Sequence, residues 1–209
     1  MSASAEAAGR RANDSDAEVG LWVFLASEVM FFGLLLYGYT ITRINHPQAF
    51  AAASAQTDVL LGSINCFVIF TSSLTMALAA RSLRLGSQRA SLRLLGTTWT
   101  LGLLFLAIKC YEYHEDIDKH LVPWGQFGLH GPLVAGERMF FFMYFVMTGA
   151  HAIHMCVGLG ILAVMFVGVA RGKYTQRNSE AVELAALYWA LVDTVWIFLY
   201  PVLYLVHRS

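Results

Sequence analysis

The sequence predicts an all-α integral membrane bundle of five transmembrane helices. Three observations predict it. First, 13% of the 209 residues are charged and 57% are hydrophobic, whereas an ordinary soluble domain carries roughly 25% charged residues. Too few charges remain to cover a soluble surface, and the mean hydropathy is +0.57. Second, the apolar residues gather into five stretches, each near or above the about 20 helical residues that span a bilayer. Third, these stretches are too long, and alternate too little, to be barrel strands of about 10 residues.

Residues 1–19 are polar and rich in Ala and Ser, with no apolar core of the signal-peptide kind, and are expected to form a mobile cytoplasmic tail. The five-helix domain is expected over residues 20–209, with spans at Gly20–Ile41, Val59–Ala80, Leu94–Tyr111, Met139–Val169 and Leu184–Val206. The fourth span has 31 residues, which extend roughly 46 Å, so it must tilt or project beyond the lipid.

Orientation follows from Lys and Arg. One side carries Arg10, Arg11, Arg81, Arg84, Arg89, Arg93, Arg171, Lys173 and Arg177; the other carries Arg43, Lys119, Arg138 and Arg208. The first side is expected to be cytoplasmic, which puts the N-terminus inside and the C-terminus in the periplasm. The outer connection over residues 112–138 holds Glu112, Glu115, Asp116 and Asp118 and then Leu121-Val122-Pro123-Trp124-Gly125. A long irregular loop of this kind is expected to pack on something.

Ionisable groups at membrane depth cost a few kcal/mol or more, so each needs a partner or a purpose. Glu28, Lys109, Glu112, His151, His154 and Asp193 are such groups. His151 and His154 share a helix at a spacing that could hold a metal. No further ligands converge at that depth, so hydrogen bonding is expected and a metal is not. A carboxylate–histidine relay through Glu28, Asp193 and the two histidines lacks a member in the second span; hydrogen-bonded burial of each acid is expected instead. The motive for pairing Glu28 with the His151/His154 face is the cost of an unpaired carboxylate in lipid. Lys109 and Glu112 are expected to form a local ion pair, the lysine snorkelling to the outer interface. Tyr111, Tyr113, Trp124, Tyr188, Trp189, Tyr200 and Tyr204 are expected to include interface-belt aromatics. Cys66, Cys110 and Cys156 read as buried small hydrophobes, not as a disulfide frame. The chain has no CxxC, no nucleotide-binding glycine loop and no concentrated basic patch, and its net charge is +0. It is expected to bind no nucleic acid and to carry no catalytic residue, redox centre or metal of its own.

Four motifs then carry a resemblance. LWVFLASEVMFFGLLL resembles the span of haem–copper oxidase subunit III, the cytochrome c oxidase subunit 3 family, that holds its buried glutamate. FLAIKCYEYHEDI is similar to that family's Gln/Lys-x-x-Glu-Tyr segment, YFVMTGAHAIHMCVGLGIL to its TG-x-H-x-x-H span, and LYWALVDTVWIFLYPVLYLV to its closing YWHFVDxVWxFLY span. They occur in order from residue 20 onward and look like the bacterial five-helix form. Ala190 departs from the pattern, standing where the family has His.

The resemblance implies an accessory subunit of an aerobic terminal oxidase in the bacterial inner membrane. Haem and copper would lie in partner subunits I and II, and structural phospholipids in clefts between the helices. Glu28 matches the family's carbodiimide-reactive glutamate; His151, His154, Glu112, Tyr113, Lys109 and Asp193 match motif positions. The implied electron donor is cytochrome c, with a quinol oxidase or a nitric oxide reductase as related settings. A free-standing ion-coupled transporter is the other class; it is disfavoured because the chain has no inverted repeat and no broken-helix pair.

Overall fold

The computed structural model describes the backbone of residues 2–124 and 127–205, with side chains from Val19 onward. Within them the chain is all helix: α1 Ser2–Asn45, α2 Pro47–Ser54, α3 Val59–Arg84, α4 Gln88–Asp118, α5 Val134–Ala170 and α6 Glu180–Tyr204. Five of these are long and apolar enough to cross a membrane. The backbone of α1 runs as helix from Ser2 through the segment expected to be a tail. The expected span end at Val206, together with Arg208 and the side chains of Arg10 and Arg11, lies outside the described residues.

The helix boundaries follow from local chemistry. Asp58 caps α3, its Oδ1 accepting from Leu60 N at 2.8 Å and Leu61 N at 3.1 Å, which satisfies amides that have no partner within the helix. Pro47 opens α2 at a position where a missing amide costs nothing. Three helices end in one motif. Ser87 N donates to Ser82 O, Leu121 N to Asp116 O and Lys173 N to Gly168 O, each at 2.9 Å. The residues that turn the chain, Gly86, His120 and Gly172, have φ of 81°, 54° and 72°. This left-handed turn satisfies the last carbonyls.

Helices α3, α4, α5 and α6 form an antiparallel four-helix core; α1 packs mainly on α5, α6 and α2. Most of the membrane-length part of α1 is therefore exposed, with Val23, Met30, Leu34 and Tyr37 facing outward. The short α2, within what the sequence suggests is a plain connection, folds over one end of the bundle. Phe50 meets Phe140 edge-on at 5.5 Å, and Ser54 Oγ donates to Leu203 O at 3.0 Å.

The core is organised around α6. Trp189 is 1% exposed and fits because Gly102 of α4 and Gly158 of α5 flank it. A Cβ on either glycine would lie within 2.9 Å of the indole ring, closer than packed carbon atoms approach. Small residues let membrane helices pack closely. Trp189 Nε1 also donates to Ser72 Oγ at 3.0 Å, fixing α6 to α3.

The belt reading of the aromatics divides. Tyr111 and Trp124 are exposed, whereas Tyr188, Trp189 and Tyr204 are core residues. Cys66 is half-buried, and Cys110 and Cys156 are exposed on the bundle's outer face rather than buried. All three thiols are free.

Candidate functional site: two polar centres between the helices

The first centre joins α1 to α5. Glu28 Oε2 approaches His154 Nε2 at 2.8 Å, with side-chain exposures of 16% and 20%. His154 Nδ1 lies 2.8 Å from the carbonyl of Ala150. A carbonyl only accepts, so Nδ1 donates. The approach of Glu28 is oblique: Oε2 lacks an aligned hydrogen-bond partner, so this is a close contact rather than a directed hydrogen bond. Phe32 meets the imidazole edge-on at 5.3 Å. Tyr188 OH donates to His154 O at 3.0 Å, adding α6. Ser27 turns back to Phe24 O at 2.7 Å.

His151, one turn away, does not share this contact. It is fully buried, packed edge-on against Phe105 at 5.4 Å and tilted over Trp196 at 5.1 Å. Neither ring nitrogen has a hydrogen-bond partner among the described residues, which departs from the expected structural hydrogen bond. The two histidines point to different neighbours: His154 meets Glu28 of α1, whereas His151 meets Phe105 of α4 and Trp196 of α6.

The second centre joins α4, α5 and α6. Lys109 Nζ donates to Glu112 Oε2 at 2.9 Å, Tyr204 OH at 2.8 Å and Tyr144 OH at 3.2 Å, which uses all three ammonium protons. Tyr144 OH donates to Glu112 Oε1 at 2.9 Å, and Tyr204 OH donates to the same oxygen. The rings of Tyr113, Tyr144, Trp196 and Tyr204 surround the ammonium at 5.0 to 5.6 Å, within cation–π range. Tyr113 OH meets Thr148 Oγ1 at 2.6 Å.

The ion pair is as expected, but the snorkelling lysine is not: Lys109 is 3% exposed and Glu112 2%. The reason is helix length. α4 continues to Asp118, so Lys109 lies about 13 Å short of its end at about 1.5 Å per residue. Glu112, Glu115, Asp116 and Asp118 accordingly sit on α4 and not in the outer loop. Asp116 is buried beside the cluster, its Oδ2 without a partner among the described residues.

Asp193 is 2% exposed. Both of its carboxylate oxygens lack hydrogen-bond partners among the described residues. The expected hydrogen-bonded acid is therefore not what is found at Asp193. Among the described residues no group of three or more His, Cys, Asp or Glu could hold a metal ion. Tyr144, Tyr204 and Trp196 lie within the quoted motifs, but the sequence analysis does not assign them to the second centre. Tyr144 carried one signal, since it precedes Thr148 by one turn on the same face.

Membrane-length helices with ionisable side chains turned between them define a polytopic membrane bundle held together from within. The model of the family described as cytochrome c oxidase subunit III matches residues 6–207, and the chain belongs to that family. It is a subunit III of a haem–copper oxidase and a multi-pass membrane protein. It is 30% identical over 201 residues to the cytochrome c oxidase subunit 3 of Synechocystis sp., a match covering 96% of this chain and 80% of that one. It is 31% identical over 193 residues to the haem–copper oxidase subunit I+III of Aeropyrum pernix, covering 89% of this chain but only 22% of that longer protein. It is 25% identical over 191 residues to the "Probable quinol oxidase subunit 3" of Staphylococcus haemolyticus, covering 90% and 88%.

Proposed function

We propose that this chain is the non-catalytic subunit III of a bacterial aerobic cytochrome c oxidase, seated in the inner membrane beside subunits I and II, which hold the haem and copper. Its role is to support assembly, to retain structural phospholipids and to sustain proton-pumping oxygen reduction over many turnovers. The observation that carries this reading is the family match over residues 6–207. The internal polar centres support it: both are closed contacts between helices, as suits a scaffold. The cationic loops after α3 and α5 face the cytoplasm in this reading. Glu28, His151, His154, Lys109, Glu112, Tyr113 and Asp193 act by fixing helices against each other. A quinol oxidase is the second reading, favoured by the name of the Staphylococcus haemolyticus relative.

The test is oxygen consumption by the purified complex with and without this subunit, using reduced cytochrome c and a quinol in turn. The expected result is a normal initial rate with cytochrome c in both preparations, and faster inactivation during turnover where the subunit is missing. Removing a bound neighbour destabilises the remaining state by mass action without removing its chemistry. Activity with quinol alone transfers the assignment to the second reading.

Glu28→Gln has a correspondingly mild expected outcome. The amide still fills the space beside His154, so assembly and initial turnover stay near normal while carbodiimide labelling of the chain is lost. Immediate loss of oxygen reduction in a fully assembled, haem-loaded complex would place Glu28 on an obligatory proton path and overturn the scaffold reading.

A further inference from the structure

We propose that the cavity between the long loop after α4 and the start of α5 binds an isoprenoid quinone, with its ring between loop and helix and its tail running along α5 into the bilayer. The inference goes beyond the scaffold role. It rests on the chain spanning a membrane and not on the choice of electron donor, and it assigns binding only, with no electron transfer at the site.

Long irregular loops inside a compact fold are usually functional, and this one is fastened to α5. Trp124 meets Phe145 edge-on at 5.5 Å and Phe127 meets Phe141 edge-on at 6.0 Å. Arg138 Nε donates to Pro123 O. Gly128 N donates to His120 O at 2.8 Å, which closes the loop on itself. These contacts leave a cavity of about 710 Å³ between loop and helix, within the about 300–1,000 Å³ of small-molecule sites.

The lining is graded along α5. Ala135, Arg138, Met139 and Phe142 return to one face of the helix and form one wall. Trp124, Phe127 and His130 form the other. Arg138 lies about 6 Å and Phe142 about 12 Å into α5 from its first residue, Val134. The 37 residues of α5 extend about 55 Å, some 25 Å more than the hydrocarbon is thick. Shared between the two ends, that excess puts Arg138 in the headgroup layer and Phe142 at the hydrocarbon boundary. Met139 and Phe142 are exposed, so the apolar end opens toward lipid.

The polar groups are few and held. The bond to Pro123 O fixes the Arg138 guanidinium, whose remaining N–H groups have no partner among the described residues. His130, at the loop end of the cavity, offers one nitrogen that donates and one that accepts. A quinone is a flat ring with a carbonyl oxygen on opposite edges and a long apolar tail. Its oxygens accept only, which suits Arg138, and its reduced form can also donate to His130. Its ring suits the aromatic walls of Trp124 and Phe127, and its tail suits Met139 and Phe142. A phosphate headgroup here would meet a single guanidinium already committed through Nε, and would leave both aromatic walls without a planar partner.

The test uses the intact purified complex and a benzoquinone bearing an isoprenoid tail and an azide on its ring. After illumination only peptides of this chain are read, by mass spectrometry, so the site and the identity of the electron donor fail separately. Label should fall around Trp124 and Phe127 and on residues 135–142. Excess unlabelled quinone should suppress it, and the same excess of phosphatidylglycerol should not. Arg138→Leu should weaken the apparent affinity about tenfold, the loss of one hydrogen bond from a charged donor. Ala135→Trp keeps Arg138 but fills the cavity, and should abolish the label there. The competition in the wild-type complex needs no variant, so it stays decisive if either substitution prevents assembly. Absence of label from these stretches, suppression by the phospholipid, or unchanged labelling of Ala135→Trp would overturn the site.

Discussion

Lys109→Met should destabilise the protein by roughly 3–5 kcal/mol, the range for stranding one member of a buried ion pair. The substitution leaves Glu112, 2% exposed, as an uncompensated carboxylate in the membrane interior. Its two tyrosine donors remain, but its counter-charge is gone. Replacing both members by apolar residues, as in Lys109→Met/Glu112→Leu, should recover most of the loss, because well-packed apolar substitutes for a buried pair are often neutral or better. Lys109→Gln should fall between the two, since its amide keeps two donors but carries no charge. Thermal unfolding of the detergent-solubilised complex, followed by release of this subunit, reads all three. Equal stability of Lys109→Met and the native chain would mean that water or lipid headgroups reach the pair and that the three-helix clamp does not exist.

Trp189→Ala should have a comparable effect, about 3–5 kcal/mol, as for other buried Trp-to-Ala changes. The indole is wedged between Gly102 and Gly158, whose missing side chains cannot expand into the space it leaves. The Ser72 hydroxyl also loses its donor. Trp189→Phe should retain much of the packing and lose the hydrogen bond, at about 1 kcal/mol for the bond itself. Release of this subunit from the complex on heating is the readout. Tolerance of Trp189→Ala together with Gly158→Leu would show that α6 does not sit where the core places it.

Much of this architecture is written in the sequence at the level of spans. Hydrocarbon thickness demands about 20 apolar residues per crossing, and no other length of segment produces that signal. The ends are less legible, because nothing in hydropathy marks where a helix stops once it leaves lipid. α4 carries Lys109, Glu112 and Asp116 on a buried face, so charge there belongs to the interior of the helix and does not mark the end of the span. The three left-handed C-terminal turns set the true limits; two used Gly, but His120 gave no such signal. α2 was hidden in an Ala-rich connection too short and too mixed to show a period.

The polar centres were half legible. The cost of burial singled out Glu28, Lys109, Glu112, His151, His154 and Asp193. Which partner each would find depends on helix rotation, and α5 is apolar on nearly every face, so periodicity could not orient it. That is why Glu28 meets His154 while His151 turns into the core. The tyrosines of the Lys109 clamp were indistinguishable from interface aromatics, because a tyrosine near a span's end suits both settings. Ala190, where the family pattern has His, is half-buried on α6, and no described contact substitutes for a histidine there.

The most direct test of the central claim, that this chain is an accessory subunit built into a haem–copper oxidase, is the haem spectrum of what it brings with it. The chain is expressed with an affinity tag in its native membrane, solubilised mildly and purified. A reduced-minus-oxidised spectrum of the eluate is recorded against the amount of tagged chain. The account predicts a haem signal in fixed proportion to the chain, lost when the eluate is stripped of its larger partner subunits. A stable eluate of the chain alone, free of haem and self-associated, would contradict it.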